Sequence, residues 1–330
     1  MEKFIAYGIG NALLDYEYLV DEGLLEKLEL QKGTMLLNEF DKHTSIHTSL
    51  KKNLKSQKIM SGGSVANSIY AMAKFGNNVC FSGKVSNDDT GNKFIKSIED
   101  SGIHSDVKKI DSGSSGECLV LITPDNERTM NTYLGSSSML EQKDISKDLI
   151  SDTKYLLVEG YLVSNDKTLS VCNHAIKTSH ETGGKVVITL SDPNIVKFFR
   201  NNILSLLEKK IEFIFCNEQE AYNFSEVNDL QKSLDYLKNF SEKVIVTLGA
   251  KGVVYSDDND TYKINGNKVD SKDFTGAGDM FLGAFMHYYT ASGDIEKSLE
   301  FANTCAAEII RVYGAKFDQD SKYENLLNQF

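Results

Sequence analysis

From residue 155 onward the chain alternates between two hydrophobic patterns. Short apolar runs at 155–158, 185–190, 211–216 and 243–248 are separated by longer stretches such as 166–181, where apolar residues recur at helical spacing. Buried-looking strands set between helix-length segments predict a parallel sheet covered on both faces. The chain also opens on an apolar run, Phe4-Ile5-Ala6-Tyr7-Gly8-Ile9-Gly10, which reads as a strand ending in a glycine turn. The run at 78–83 predicts another buried strand, and Asp88-Asp89 with Gly91 caps a helix that reaches about residue 101. Elsewhere the pattern changes. Residues 18–37 carry apolar patches broken by acids and predict strands or a short helix outside the main sheet. Residues 117–123 and 128–134, joined through Pro124-Asp125-Asn126-Glu127, predict a hairpin. Asp192-Pro193-Asn194 is a turn before a helix, a last helix covers about 295–311, and the polar tail beyond Phe317 either frays or docks. There is no internal repeat, linker or low-complexity segment.

Composition narrows the class. At 330 residues, with 41% apolar and 25% charged residues, the chain is an ordinary globular one with enough material for a sizeable core. A net charge of −11, with 36 Lys and Arg spread along the chain, argues against nucleic acid or an anionic membrane as partner. Cys80, Cys118, Cys172, Cys216 and Cys305 are scattered, odd in number and mostly in apolar runs, so they read as reduced core residues of a cytoplasmic protein. The N-terminus lacks a signal-peptide layout, and no apolar run reaches membrane-spanning length.

The chemistry concentrates in a few glycine-rich stretches. In Asp273-Phe274-Thr275-Gly276-Ala277-Gly278-Asp279, small residues run straight into the apolar Met280-Phe281-Leu282-Gly283-Ala284-Phe285. That is a tight loop opening a buried helix, where unpaired N–H groups and the helix dipole favour an anion. Asp279 in the first turn suits a proton acceptor beside a phosphoryl group, although a first-turn acid also simply complements the dipole. Ser61-Gly62-Gly63-Ser64-Val65-Ala66-Asn67 is a second glycine loop entering a helix. Gly8-x-Gly10 invites a dinucleotide-binding reading, but the third glycine would fall at Leu13. His43 and His47 stand four apart in a polar region with no third ligand nearby in the sequence, and read as a solvated helix face. Asn303 sits among apolar neighbours, which predicts a buried side chain in need of partners.

Together these stretches resemble the ribokinase (PfkB-type) family of sugar and nucleoside kinases, in the family's order and over nearly the whole chain, from Gly10 to Gly314. The resemblance implies a doubly wound, mostly parallel α/β sheet with helices on both faces. It implies a single domain over 1–330, with a small β-sheet lid built from about 12–40 and 111–135. It implies that the Gly276, Ala277 and Gly278 amides form an anion hole and that Asp279 is the base. Asn11, Asp15, Gly62, Gly63 and Asn67 would touch substrate, and Arg128 would reach the phosphates or latch the lid, the alternative being a solvent-facing hairpin charge. Tyr161, at a strand end where open α/β sheets place ligands, packs against a base or sugar or else into the core. Asn217 and Glu220 would organise Mg²⁺, while Thr247, Gly249, Gly252 and Asn303 would line the ATP site. A monovalent cation is open as a further cofactor. Asn11–Asp15, Arg128 and Tyr133-Leu134-Gly135 pull toward the adenosine-kinase-like branch, with a free-sugar kinase as alternative and a non-catalytic sensor on the same scaffold as a third reading. A monomer or a homodimer fits equally.

Overall fold

The computed structural model describes residues 4–56 and 58–330. Its main sheet has nine strands. From edge to edge these are Thr261–Ile264, Val253–Asp257, Ser241–Thr247, Ile211–Asn217, Lys185–Thr189, Thr153–Glu159, Phe4–Ile9, Val79–Ser82 and His104–Ser105. All neighbours pair parallel except the last two strands of the chain, which add antiparallel at one edge. Successive side chains of a strand point to opposite faces, and both faces are covered. Ala6, Leu157, Val187, Phe213 and Ile245 pack on the layer that holds helices Ser64–Lys74, Ala277–Ser292 and Ile295–Ile309. Tyr7, Leu156, Val186, Ile214 and Val244 pack on the layer of Asp166–Glu181, Pro193–Leu206 and Glu218–Ser225. The doubly wound fold follows from that burial on two sides.

Local chemistry sets the helix starts. The Asp88 carboxylate accepts from Gly91 N at 2.7 Å, and Asp192 accepts from Asn194 N at 2.7 Å ahead of Pro193 in the first turn. The polar tail docks: Asp320–Leu327 is a helix that buries Tyr323 and Leu326, so the helix ending at Ile309 is not the last.

A second sheet of five strands, in the order Met35–Leu37, Arg128–Tyr133, Gly116–Ile122, Leu13–Leu19 and Lys58–Gly62, forms the lid. One face, with Leu14, Tyr16, Leu119 and Leu121, packs on Ile46 and Leu50 of helix Phe40–Asn53. The other face turns to the main cavity. The lid is thus larger than the sequence suggested, because Phe40–Asn53 and Lys58–Gly62 belong to it. His43 and His47 do not form a solvated face. They are 3% and 4% exposed, and Glu117 from the adjacent strand lies against both. Asn303 is only half-buried, and its amide donates to Asn265 O at 2.8 Å.

The helices Ser64–Lys74 and Ala277–Ser292 approach each other at Gly283. A Cβ there would stand 2.5 Å from Ser68 O and 2.7 Å from the Ala71 Cβ. Gly283→Ala adds about 1 kcal/mol of helix propensity, but overpacking a tight contact costs about 1–3 kcal/mol. The net effect expected is a lower thermal midpoint by circular dichroism. The same change at Gly23, on the exposed helix Glu22–Lys27 and 3.5 Å from its nearest neighbour, leaves the midpoint unchanged or higher. A Gly283→Ala protein as stable as the parent would refute the close approach.

Candidate active site

The sheet order reverses at the first strand. The chain goes from Phe4–Ile9 to Val79–Ser82 on one side and returns to Thr153–Glu159 on the other. Open α/β sheets leave a crevice at such a switch point, at the carboxyl ends of the strands. Here the crevice is a cavity of about 510 Å³ roofed by the lid. Glu159, fully buried, closes its floor. Its Oε1 accepts from Asn11 N at 2.8 Å and Asn11 Nδ2 at 2.7 Å, and its Oε2 accepts from Val65 N at 2.9 Å. Burial pushes its pKa up to about 7 against these hydrogen bonds.

Two glycine loops meet in this cavity. Gly276 opens the Ala277 helix at φ 70°, and Gly63 opens the Ser64 helix at φ 102°, where a Cβ would run into Asn11 O. Asp279, in the first turn of its helix, accepts from Ser64 Oγ at 2.7 Å and from Asn67 Nδ2 at 3.0 Å. Burial raises its pKa to about 6, opposed by those two donors and by Lys316. Among the described residues the N–H groups of Gly278 and Asp279 find no acceptor, whereas Ala277 N already donates to Phe274 O at 3.3 Å. The loop before the helix is braced by Asp273, fully buried, which accepts from Thr275 N at 2.7 Å and Gly314 N at 2.6 Å.

Asp15 projects from the lid into the cavity with Gly62 against its carboxylate. Burial lifts Asp15 to about 7, Lys316 pulls it back, and Glu17 adds to the rise. Lys316 is itself pushed down to about 7 by burial, against the attraction of Asp15 and Asp279, and donates to Ser61 O. Arg128 is buried at the lid edge with its guanidinium touching the Asp273 carboxylate. Asp273 Oδ2 also accepts from Gly314 N, and beyond that ion pair Arg128 Nε and Nη1 have no hydrogen-bond partner among the described residues. Asn67 Oδ1 is likewise buried and unpartnered among them.

The opposite wall holds Asn217, Glu220 and Thr247, at or just beyond the carboxyl ends of adjacent strands. Glu220 accepts from Asn217 N at 3.0 Å and Asn217 Nδ2 at 2.6 Å, and burial raises it to about 8. Tyr161 borders the cavity with its hydroxyl 3.4 Å from Ser191 O. Gly62, Gly249, Gly252 and Asn303 do not line the cavity. Sequence reasoning missed Ser64, Glu159 and Lys316. Ser64 lay unremarked inside the second glycine loop. Glu159 was an acid at the end of an apolar strand, and Lys316 a lone cation between Gly314-Ala315 and Phe317.

No helix among the described residues is long and apolar enough to cross a membrane. Comparison with known proteins gives a consistent set of matches. Residues 34–322 match the pfkB family carbohydrate kinase description. The adenosine kinase of Dictyostelium discoideum is 28% identical over 329 residues, covering 93% of this chain and 94% of its own. The ribokinase of the same organism is 28% identical over 281 residues, covering 78% and 86%. The solved adenosine kinase from Sinorhizobium meliloti superposes with a TM-score of 0.92 at 27% identity, over 99% of both chains. A probable sugar kinase from Rhizobium etli CFN 42 gives 0.91 at 26%, over 99% of this chain and 100% of its own. The chain therefore belongs to the pfkB family of carbohydrate kinases, phosphotransferases with an alcohol group as acceptor, and is similar over nearly its whole length to the adenosine-kinase-like branch.

Proposed function

We propose that this protein transfers the γ-phosphate of ATP to the primary hydroxymethyl group of an adenosine-like nucleoside. The observation that carries the reading is the Asp279 carboxylate, oriented by Ser64 and Asn67 beside two free helix-start amides. Asp279 accepts the proton as the substrate oxygen attacks phosphorus, and the bond to the ADP leaving oxygen breaks in line. The Gly278 and Asp279 N–H groups meet the charge that builds on the transferred group, with Gly276 keeping the backbone open. The buried Nε and Nη1 of Arg128, without an acceptor among the described residues, suit the same anion, since a buried donor without an acceptor costs about 1–3 kcal/mol that a phosphate oxygen would recover. Mg²⁺, when bound, screens the triphosphate charge. Asn217 and Glu220 fit its water shell better than its inner sphere, because both Glu220 oxygens already accept from Asn217.

Sugar hydroxyls have matching partners in the Asp15 carboxylate and the free Oδ1 of Asn67. Beyond them the lid wall is apolar at Leu13, Met35, Met130 and Leu134, which suits a flat base better than water. Two comparisons support the nucleoside. The adenosine kinase of Dictyostelium discoideum aligns over 93% of this chain, the ribokinase over 78%. A panel of nucleosides and free sugars with ATP·Mg²⁺, read as ADP release, tests the choice. Turnover is expected with adenosine-like nucleosides, and turnover confined to ribose, fructose or 2-keto-3-deoxygluconate would replace the substrate assignment.

Asp279→Ala is expected to lower kcat by about 10²–10⁴-fold with nucleotide affinity little changed. Steady-state kinetics and nucleotide titration check this, and near-normal turnover removes Asp279 from the chemistry. The base works only when ionised, so kcat/KM should fall as pH drops through about 6. Asn67→Ala deletes a hydrogen bond that lowers the Asp279 pKa and should move that acid limb to higher pH. A limb that stays in place in the pH–rate profile of Asn67→Ala contradicts the assignment of the limb to Asp279.

A further inference from the structure

A second polar cluster lies on the lid face turned away from the substrate cavity. His43 and His47 stand one turn apart on helix Phe40–Asn53, and Glu117 reaches them from strand Gly116–Ile122. Glu117 Oε2 is 3.3 Å from His43 Nε2 and 2.9 Å from His47 Nδ1. In a tetrahedral site with ligands at the usual Zn–N and Zn–O lengths, neighbouring ligand atoms are roughly 3.3 Å apart. Both distances from the carboxylate oxygen thus stand near the spacing that one small cation would impose, and all three ligand atoms lie within 4.8 Å of one another. Among the described residues no other set of three His, Cys, Asp or Glu side chains converges in this way.

Each of the three side chains is also held from behind. His43 Nδ1 is 3.1 Å from Asn131 Oδ1, His47 Nε2 is 3.2 Å from Tyr18 Oη, and Glu117 Oε1 accepts from Thr90 Oγ1 at 2.9 Å. Such outer partners orient metal-binding imidazoles and carboxylates. His43 Nδ1 and Nε2 face Asn131 and the Glu117 carboxylate, and a neutral ring carries a proton on only one of them. One proton serves one N···O pair, whereas His47 presents a second nitrogen to the same oxygen. A metal ion serves all three atoms at once. A cavity of about 210 Å³, bordered also by Thr44 and Tyr133, opens beside the cluster and has room for a water as fourth ligand.

We propose that His43, His47 and Glu117 form a binding site for a late first-row divalent cation of the Zn²⁺ type, which staples the lid helix to the lid sheet. Imidazole and carboxylate ligands in a tetrahedral set of three plus water suit Zn²⁺, and a hard, water-retaining cation such as Mg²⁺ should not compete. The site stands apart from the reaction described above. Glu117 faces helix Phe40–Asn53, while the next residue, Cys118, faces the substrate cavity, so the ion would stiffen the roof without touching substrate.

Titrating chelator-treated full-length protein with Zn²⁺ by calorimetry, in excess Mg²⁺, tests this. One ion per chain is expected, together with a raised unfolding midpoint. His47→Gln and Glu117→Gln should each abolish the binding. Tyr18→Phe keeps all three ligands and removes one outer partner, so it should weaken binding by about 10-fold or more while the protein stays folded. Co²⁺ bound to the parent should show the intense visible bands of a tetrahedral site and be displaced by Zn²⁺. Absence of stoichiometric Zn²⁺ binding by the parent, or binding unchanged in both His47→Gln and Glu117→Gln, overturns the proposal and leaves a shared proton as the whole content of the cluster.

Discussion

The cavity depends on how closely two apolar helices pack. Ser64–Lys74 and Ala277–Ser292 lie against the same face of the main sheet, and the absence of a side chain at Gly283 lets their backbones come together. Their N-terminal loops then share one end of the molecule. Asn67 and Asp279, 212 residues apart in the chain, meet at 3.0 Å. Ser64 joins them from the same loop. Every one of these contacts is long-range, and no local preference of either loop would produce it. The sheet reversal beside the first strand supplies the crevice, and the helix packing fills its floor with donors.

Charge in the cavity is balanced by burial more than by pairing. Asp15, Glu159 and Asp279 are all raised above ordinary carboxylate values, and desolvation is the largest cause for each. Lys316 opposes the rise at Asp15 and Asp279 without cancelling it, and is lowered in turn. Groups held near neutrality in this way change protonation at little cost when a ligand arrives. The unsatisfied atoms point the same way. Asn67 Oδ1 and the Nε and Nη1 of Arg128 are buried without partners among the described residues, and both residues border the cavity. A buried polar atom without a partner costs about 1–3 kcal/mol, and a phosphorylated or hydroxylated ligand would recover it.

The lid works through the two-residue period of its strands. Leu14, Tyr16, Leu119 and Leu121 form its private core with helix Phe40–Asn53, while Leu13, Asp15 and Cys118 face the cavity. A stable outer face therefore presents a separately variable inner one. The small β-lid needs such support, because a short sheet with one side facing a cavity has little core of its own.

The sequence by itself determined the strand and helix alternation, both glycine loops, Asp279 at its helix start and the hairpin at about 117–134, because each rests on local periodicity or local backbone demands. Only the tertiary structure decided which groups face one another. Lys316 sits beside two acids far from it in the chain, Glu159 ties the turn at Asn11 to the start of helix Ser64–Lys74, and Glu117 turns a supposed solvated pair, His43 and His47, into a buried cluster. The same limit explains Asn303, whose apolar neighbours in sequence said nothing about the half-open surface it occupies, and the tail helix at 320–327, whose Tyr323 finds its apolar partners only in the folded core. A pattern along a chain states how often a side chain returns to one face. What lies opposite that face is set by the packing of segments hundreds of residues apart.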